Sequence, residues 1–250
     1  MGREVVKALS RESDLELVGA YDTNRCGDDV GVLAGVGKAG IVIESNLEKI
    51  VQEKNPHLVC DFTHAEALRQ NLPRFLSHNL HLVIGTTGLS LAELEQLRKD
   101  CEARRIGCMV APNFALGAVL MMYFARLAAK YFKYAEIIEY HHPQKKDAPS
   151  GTALKTAEGM EKEGILLQDK GQELVPGARG GQYHGLCIHS VRLPGFVAHQ
   201  EVIFGGEGQI LTIRHDSLDR SSFMPGVMMA IRRVFREPRF YYGLESILEL

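Results

Sequence analysis

Between about Glu16 and Val110 the chain alternates short apolar runs with amphipathic helical segments, and few folds accommodate that order. Glu16–Tyr21, His57–Cys60, His81–Ile84 and Gly107–Val110 read as strands, with helical periodicity at about Ala65–Ser77 and Ser90–Ala103. Strand–helix alternation of this kind means βαβ units and a parallel sheet covered on both faces. Each run ends in small or polar residues: Asp22, then Asp61-Phe62-Thr63, then Gly85-Thr86-Thr87-Gly88, then Pro112-Asn113. Ligands of open α/β sheets sit at those carboxyl ends. The first half therefore reads as a Rossmann-type nucleotide domain.

The second half has another rhythm. A long helix near Leu116–Phe132 and a strand Ala135–Tyr140 precede a polar loop and a helix from about Thr152 to Lys162. The polar, Gly-rich stretch Gly164–Gly181 reads as a mobile loop. Three β-rich runs follow, Cys187–Leu193, Gln200–Phe204 and Gln209–His215, which favour an α+β domain with a mixed or antiparallel sheet and one exposed face. An exposed face alternating Val, Ile and Leu is most simply explained if it is buried against a copy of itself. The last helix, near Phe223–Phe235, is expected to pack back on the first domain. The expected division is 1–112 with 223–250, and 113–222.

Composition narrows the function classes. A net charge of -2 over 250 residues argues against nucleic acid or an anionic membrane surface as the main partner. The longest apolar run, Leu116–Ala125, is too short to span a bilayer and is followed by Arg126. The charged, helix-like start does not resemble a signal peptide. Five dispersed cysteines without CxxC spacing suit a reducing compartment, the cytoplasm or an organelle stroma. His184, His189, His199 and His215 lack metal-ligand spacing, so no metal is expected.

The densest chemistry lies in Glu139-Tyr140-His141-His142-Pro143-Gln144-Lys145-Lys146-Asp147-Ala148-Pro149-Ser150-Gly151-Thr152-Ala153. It combines two histidines, a lysine and a Ser-Gly-Thr turn before a helix. That is a proton donor, a cation and a cradle of backbone N–H groups, suited to a small anionic substrate that is protonated during reaction. An isolated His-His pair or a lone helix cap is more often structural; Lys145 and the turn together favour chemistry.

A dinucleotide domain should open with a strand and a Gly-rich turn, with an acidic ribose ligand about 20 residues later. This chain opens Met1-Gly2-Arg3 directly into a helix, and its first strand ends at Asp22. The expectation is a start inside the Gly-rich turn, with the domain's first strand lying upstream. Arg25 is placed to pair with a 2′-phosphate, which leaves both NADPH and NADH open.

The Glu139–Ala153 segment resembles the signature of the dihydrodipicolinate reductase (4-hydroxy-tetrahydrodipicolinate reductase) family, Glu-x-His-His-x-x-Lys-x-Asp-Ala-Pro-Ser-Gly-Thr-Ala. The likeness extends through Asp61-Phe62-Thr63, Gly85-Thr86-Thr87-Gly88, Pro112-Asn113-Phe114-Ala115-Leu116-Gly117, Ser190–Gly195 and Ala198–Glu201. Met1-Gly2-Arg3 matches the end of the family's Gly-rich turn. The resemblance implies reduction of a cyclic dicarboxylate imine by NADPH or NADH in lysine and diaminopimelate biosynthesis, by a homotetramer. It implies His141 as proton donor and Lys145 as the cation that stabilises developing charge. It further implies His142, Ser150, Gly151, Thr152 and Thr87 as substrate contacts. Gly2, Arg3, Asp22, Phe62, Gly85, Thr86, Thr87, Pro112, Asn113 and Phe114 are the implied cofactor contacts. Two other readings stay open: an amino-acid dehydrogenase of similar architecture, and a non-catalytic nucleotide-binding relative.

Overall fold

The computed structural model describes residues 1–166 and 171–248. Part of the expected Gly164–Gly181 loop, residues 167–170, lies outside the described residues. The chain divides into two compact units, Met1–Phe114 with Arg220–Leu250, and Ala115–Asp219.

The first unit begins α1 (Gly2–Leu9), β1 (Ala20–Tyr21), α2 (Val30–Ala34), β2 (Ile43–Glu44), α3 (Leu47–Lys54) and β3 (Leu58–Asp61). It continues with α4 (Ala65–Ser77), β4 (His81–Ile84), α5 (Leu91–Arg104) and β5 (Cys108–Val110). The second unit holds α6 (Leu116–Ala129), β6 (Tyr134–His141), α7 (Gly151–Glu161), β7 (Gly181–Tyr183), β8 (Leu186–Arg192), β9 (Ala198–Gly206) and β10 (Gln209–Ser217). The chain then returns to the first unit with α8 (Met224–Arg236) and β11 (Phe240–Tyr242). No helix among the described residues is long and apolar enough to cross a membrane.

In the first unit β3, β4, β5 and β11 form an all-parallel sheet in the order β11-β5-β4-β3. Leu82, Val83, Ile84, Cys108 and Met109 are all fully buried, as strands covered on both faces must be. The core gathers Leu68 and Phe75 of α4 with Leu97 and Cys101 of α5 around β4. Helix starts follow local chemistry: Ser90 and Glu93 form a reciprocal capping box on α5, and Asn46 caps α3. α8 lies against β4 and β5.

The first apolar run is shorter as a strand than the sequence suggests. Only Ala20–Tyr21 finds a ladder, in a separate two-stranded parallel ribbon with β2. Residues 16–19 have the composition of a strand but no ladder partner among the described residues, and pairing is what defines one. α2, α3, β2 and β11 are not read from the sequence. Each is eight residues or fewer, below the length at which periodicity is distinctive.

The second unit is a five-stranded mixed sheet in the order β10-β9-β6-β8-β7, in which β6 and β8 run parallel and the other neighbours antiparallel. This is the mixed sheet expected from the β-rich second half. α6 and α7 cover one face with small residues, Ala125, Ala129, Ala153 and Ala157, so the helices approach closely over Ile137, Ile188, Val202 and Phe204. Burial of each large side chain stabilises the unit by about 1.5–3 kcal/mol. Period-two alternation along β6 buries Ala135, Ile137 and Glu139 beneath the helices and leaves Glu136, Ile138 and Tyr140 half-buried on the other face. The same alternation therefore delivers a carboxylate, Glu139, into the core.

Candidate active site

Glu139 and His141 are two residues apart on β6, so their side chains leave the same face. Glu139 is 0 % exposed. Its two oxygens are fully engaged. Oε1 accepts from Arg192 Nη2 at 2.7 Å and from the Ser150 backbone N–H at 3.2 Å. Oε2 accepts from Arg192 Nη1 at 2.8 Å and contacts Nδ1 of His141. Arg192 reaches this point because β8 runs parallel to β6 in a register that sets it beside His141, with Ser190 beside Glu139. Burial alone would raise the Glu139 carboxyl, but hydrogen bonds from His141, Arg192 and Ser190 outweigh it and hold the group down at about 2. It is ionised throughout the physiological range.

Beyond His141 the chain turns, with the Lys145 N–H donating to the His142 carbonyl at 3.1 Å. The exposed His142 ring faces Gln144 Oε1 at 3.1 Å. The Lys145 ammonium sits on both oxygens of Asp147, at 2.9 and 2.8 Å, and lowers that carboxyl below its ordinary value. The Asp147 carbonyl accepts from Arg192 Nη2 at 2.8 Å, so the guanidinium fastens this loop to the sheet. After a cis Ala148–Pro149 bond, buried Ser150 caps α7, its Oγ accepting the Ala153 N–H at 3.2 Å. The first-turn N–H groups of Gly151 and Thr152 have no acceptor within the helix. Gly151 is exposed, and a Cβ placed there would meet nothing within 4 Å among the described residues. An anion can approach these amides along the positive end of the helix dipole.

A second cluster lies in the first unit, at the carboxyl ends of β3 and β4. Buried Asp61 accepts from Thr86 Oγ1 at 2.5 Å, Thr63 Oγ1 at 2.8 Å and the Thr63 N–H at 3.1 Å. This fixes the Gly85–Thr87 segment, in which Thr87 is exposed. Phe62 packs on Phe114, ring centroids 5.7 Å apart, and lies directly over Gly85. A Cβ on Gly85 would fall 2.1 Å from the Phe62 ring, so only glycine allows that approach. Gly2 and Arg3 are exposed in the first turn of α1. Asp22 accepts the Asn24 N–H at 2.8 Å in a turn just beyond β1. Pro112 is exposed and Asn113 half-buried beyond β5.

The structure thus brings His141, Ser150 and Lys145 into one network through Glu139, Arg192 and Asp147, while His142 stays outside it. Phe62, Gly85, Thr86 and Phe114 form a second group. Sequence reasoning names no role for Glu139, Arg192, Asp147 or Asp61. Only the Glu-x-His spacing on a strand signals Glu139 in advance. Arg192 is 53 residues away in sequence from Glu139 and is joined to it by strand register.

A family model described as "Dihydrodipicolinate reductase, N-terminus" matches residues 1–114, and its counterpart "Dihydrodipicolinate reductase, C-terminus" matches residues 117–248. A 4-hydroxy-tetrahydrodipicolinate reductase of Moorella thermoacetica is 51% identical over 251 residues, covering 100% of this chain and 94% of its own. One from Carboxydothermus hydrogenoformans is 46% identical over 252 residues, covering 99% and 95%. Among solved structures, a dipicolinate-bound dihydrodipicolinate reductase from Paenisporosarcina sp. TG-14 superposes with a TM-score of 0.86 at 43% identity, covering 99% of this chain and 95% of that one.

Proposed function

Because this chain belongs to the dihydrodipicolinate reductase family, we propose that it reduces 4-hydroxy-tetrahydrodipicolinate to tetrahydrodipicolinate with NADPH or NADH, a step of lysine and diaminopimelate biosynthesis. The observation that carries the proposal is the single hydrogen-bonded network linking an imidazole, an ammonium group and a helix-capping turn with open amides. A carboxylate of the ring substrate rests on the N–H groups of Gly151 and Thr152, with Ser150 shaping the turn and His142 and Thr87 as further contacts. His141 donates a proton to the ring carbon left electron-rich, and Lys145 offsets the negative charge that develops there. To do so Lys145 shares its ammonium between the substrate and Asp147.

The first unit fits a nicotinamide dinucleotide. Its parallel sheet presents glycine, threonine and aromatic residues at the carboxyl strand ends, where such ligands bind. Gly85 keeps the surface beneath Phe62 free of a side chain. Gly2 and Arg3 at the start of α1 would hold the pyrophosphate, Asp22 a ribose, and Phe62, Gly85, Thr86, Thr87, Pro112, Asn113 and Phe114 the nicotinamide half. When bound, the nicotinamide supplies the hydride for the substrate ring.

In this reading 1–112 with 223–250 is the dinucleotide-binding domain and 113–222 the substrate-binding and oligomerisation domain. The half-buried face of the mixed sheet supports assembly into a homotetramer, and dispersed free cysteines support a reducing compartment, the cytoplasm or an organelle stroma.

The test is loss of NADPH absorbance with 4-hydroxy-tetrahydrodipicolinate as substrate. His141→Ala is expected to lower kcat by about 10²–10⁴-fold while leaving NADPH affinity unchanged. Lys145→Ala is expected to raise KM and lower kcat together, because it touches both bound substrate and transition state. Normal turnover by His141→Ala would overturn the assignment. NADPH binding without turnover in the wild type would favour the non-catalytic relative.

A further inference from the structure

A buried carboxylate is destabilising unless its lone pairs are used, and a bidentate arginine would satisfy Glu139 as a plain structural pair. Its oxygens do more than that. Each takes one guanidinium nitrogen and one group of the proposed site: Oε2 the imidazole of His141, Oε1 the backbone N–H of Ser150. Among the described residues three other histidines also face carboxylates, in the pairs His184–Glu161, His189–Glu136 and His199–Asp216. There the acidic side chains are 47%, 29% and 36% exposed and are partly open to water. Glu139, at 0%, is closed to it. An ionised carboxylate only accepts, so the His141 nitrogen facing it must carry hydrogen.

We propose that Glu139, locked in place by Arg192, is the positioning residue that keeps His141 protonated on Nδ1 and sets it against the Ser150 turn, so that Nε2 is the nitrogen that delivers the proton. This rests on His141 being the proton donor. The proton balance is simple. The cationic imidazole releases its Nε2 proton to the substrate carbon, whose electron pair forms the new C–H bond. The neutral ring keeps its Nδ1–H on Glu139 and regains a proton at Nε2 from solvent. Glu139 stays ionised throughout and passes no proton. Arg192 is assigned a supporting part, through the carboxylate and the loop. It holds both carboxylate oxygens and, through the Asp147 carbonyl, the loop that carries Lys145.

Glu139→Gln retains the shape of the side chain and removes its charge. In full-length protein labelled with ¹⁵N-histidine, long-range proton–nitrogen spectra at about pH 8.5, where an ordinary imidazole is neutral, should show His141 as the Nδ1–H tautomer. In Glu139→Gln the two tautomers should be mixed. The variant's kcat should fall about 100-fold, with KM for the dicarboxylate raised a few-fold through the Ser150 turn and NADPH affinity unchanged. If Glu139 acts on turnover through His141, the double variant Glu139→Gln/His141→Gln will have a kcat no lower than His141→Gln alone. Multiplying losses in the double variant would overturn the proposal, as would a retained Nδ1–H tautomer with wild-type kcat in Glu139→Gln. Wild-type kcat in His141→Gln alone would instead sink the donor assignment, so the two failures are distinguishable. Should circular dichroism show Glu139→Gln unfolded, Arg192→Lys replaces it, with kcat expected about tenfold lower. Wild-type kcat there would overturn the proposal equally.

Discussion

Replacing Arg192 with methionine removes the guanidinium from Glu139 while leaving an apolar stem in its place. The carboxylate stays buried, with only the His141 ring and the Ser150 and Ser190 donors left to hold it. Its carboxyl is held at about 2 against an ordinary 4.5. At about 1.4 kcal/mol per decade, the native contacts favour its ionised form by about 3 kcal/mol. That shift is shared among His141, Arg192 and Ser190, so the loss expected at pH 7 is taken from the general cost of breaking one side of a buried pair, about 3 kcal/mol. With a urea dependence of about 2 kcal/mol per molar, the midpoint for the unit containing Glu139 should fall by roughly 1.5 M. Urea titration by circular dichroism, with hydrogen exchange of the Gly151–Ala153 amides as a local probe, measures the shift. The double variant Glu139→Gln/Arg192→Met buries no charge and should regain about half of the loss. The pH dependence has a defined sign. A carboxyl lowered by folding contributes fully above its unfolded value of 4.5, and that contribution fades as pH falls toward about 2. The gap between wild type and Arg192→Met should therefore narrow by about pH 3. A loss under about 0.5 kcal/mol at pH 7, or a gap that widens in acid, would refute the reasoning.

Gly85→Ala places a methyl 2.1 Å from the Phe62 ring, and the ring must turn away. Thermal stability should fall by about 1–3 kcal/mol, and the NADPH Kd, read by fluorescence titration, should rise about tenfold. Wild-type cofactor affinity would remove Phe62 from the cofactor site. The His81 ring accepts the Gly107 N–H on Nδ1 at 2.7 Å, and burial, followed by the charge of His57, lowers its protonation below the ordinary 6.5. A histidine lowered by folding stabilises above its unfolded value, and that stability is lost as pH falls through the lower folded one. Melting temperature should accordingly begin to drop as pH falls below about 6.5, and His81→Gln should flatten that drop. Identical acid profiles for the two proteins would exclude His81 as the cause.

Long buried segments are legible in the sequence because they carry their own periodicity. α4, α5, α6 and the strands β3, β4 and β6 lie within a few residues of their expected positions. The brief ladders of β2 and β11 are not legible, and that of β1 is read too long, since two or three residues become a strand only when a partner's amides arrive beside them. The same division runs through the candidate site. His141, Lys145 and Ser150 sit in one contiguous segment whose chemistry is evident from residue type and spacing. Asp61 and Arg192 are ordinary charged residues until the fold brings each to its partners.

Residue order alone thus determined a parallel α/β unit, a mixed-sheet unit and a segment carrying an imidazole, an ammonium group and a capped turn. Tertiary structure decided what surrounds them. Parallel pairing of β8 with β6 carries Arg192 to Glu139, and strand alternation turns that carboxylate inward beneath α7. The reason is physical: whether a charge is solvated or locked against a specific nitrogen depends on which distant strand excludes water from it, and register between strands is a property of the folded sheet.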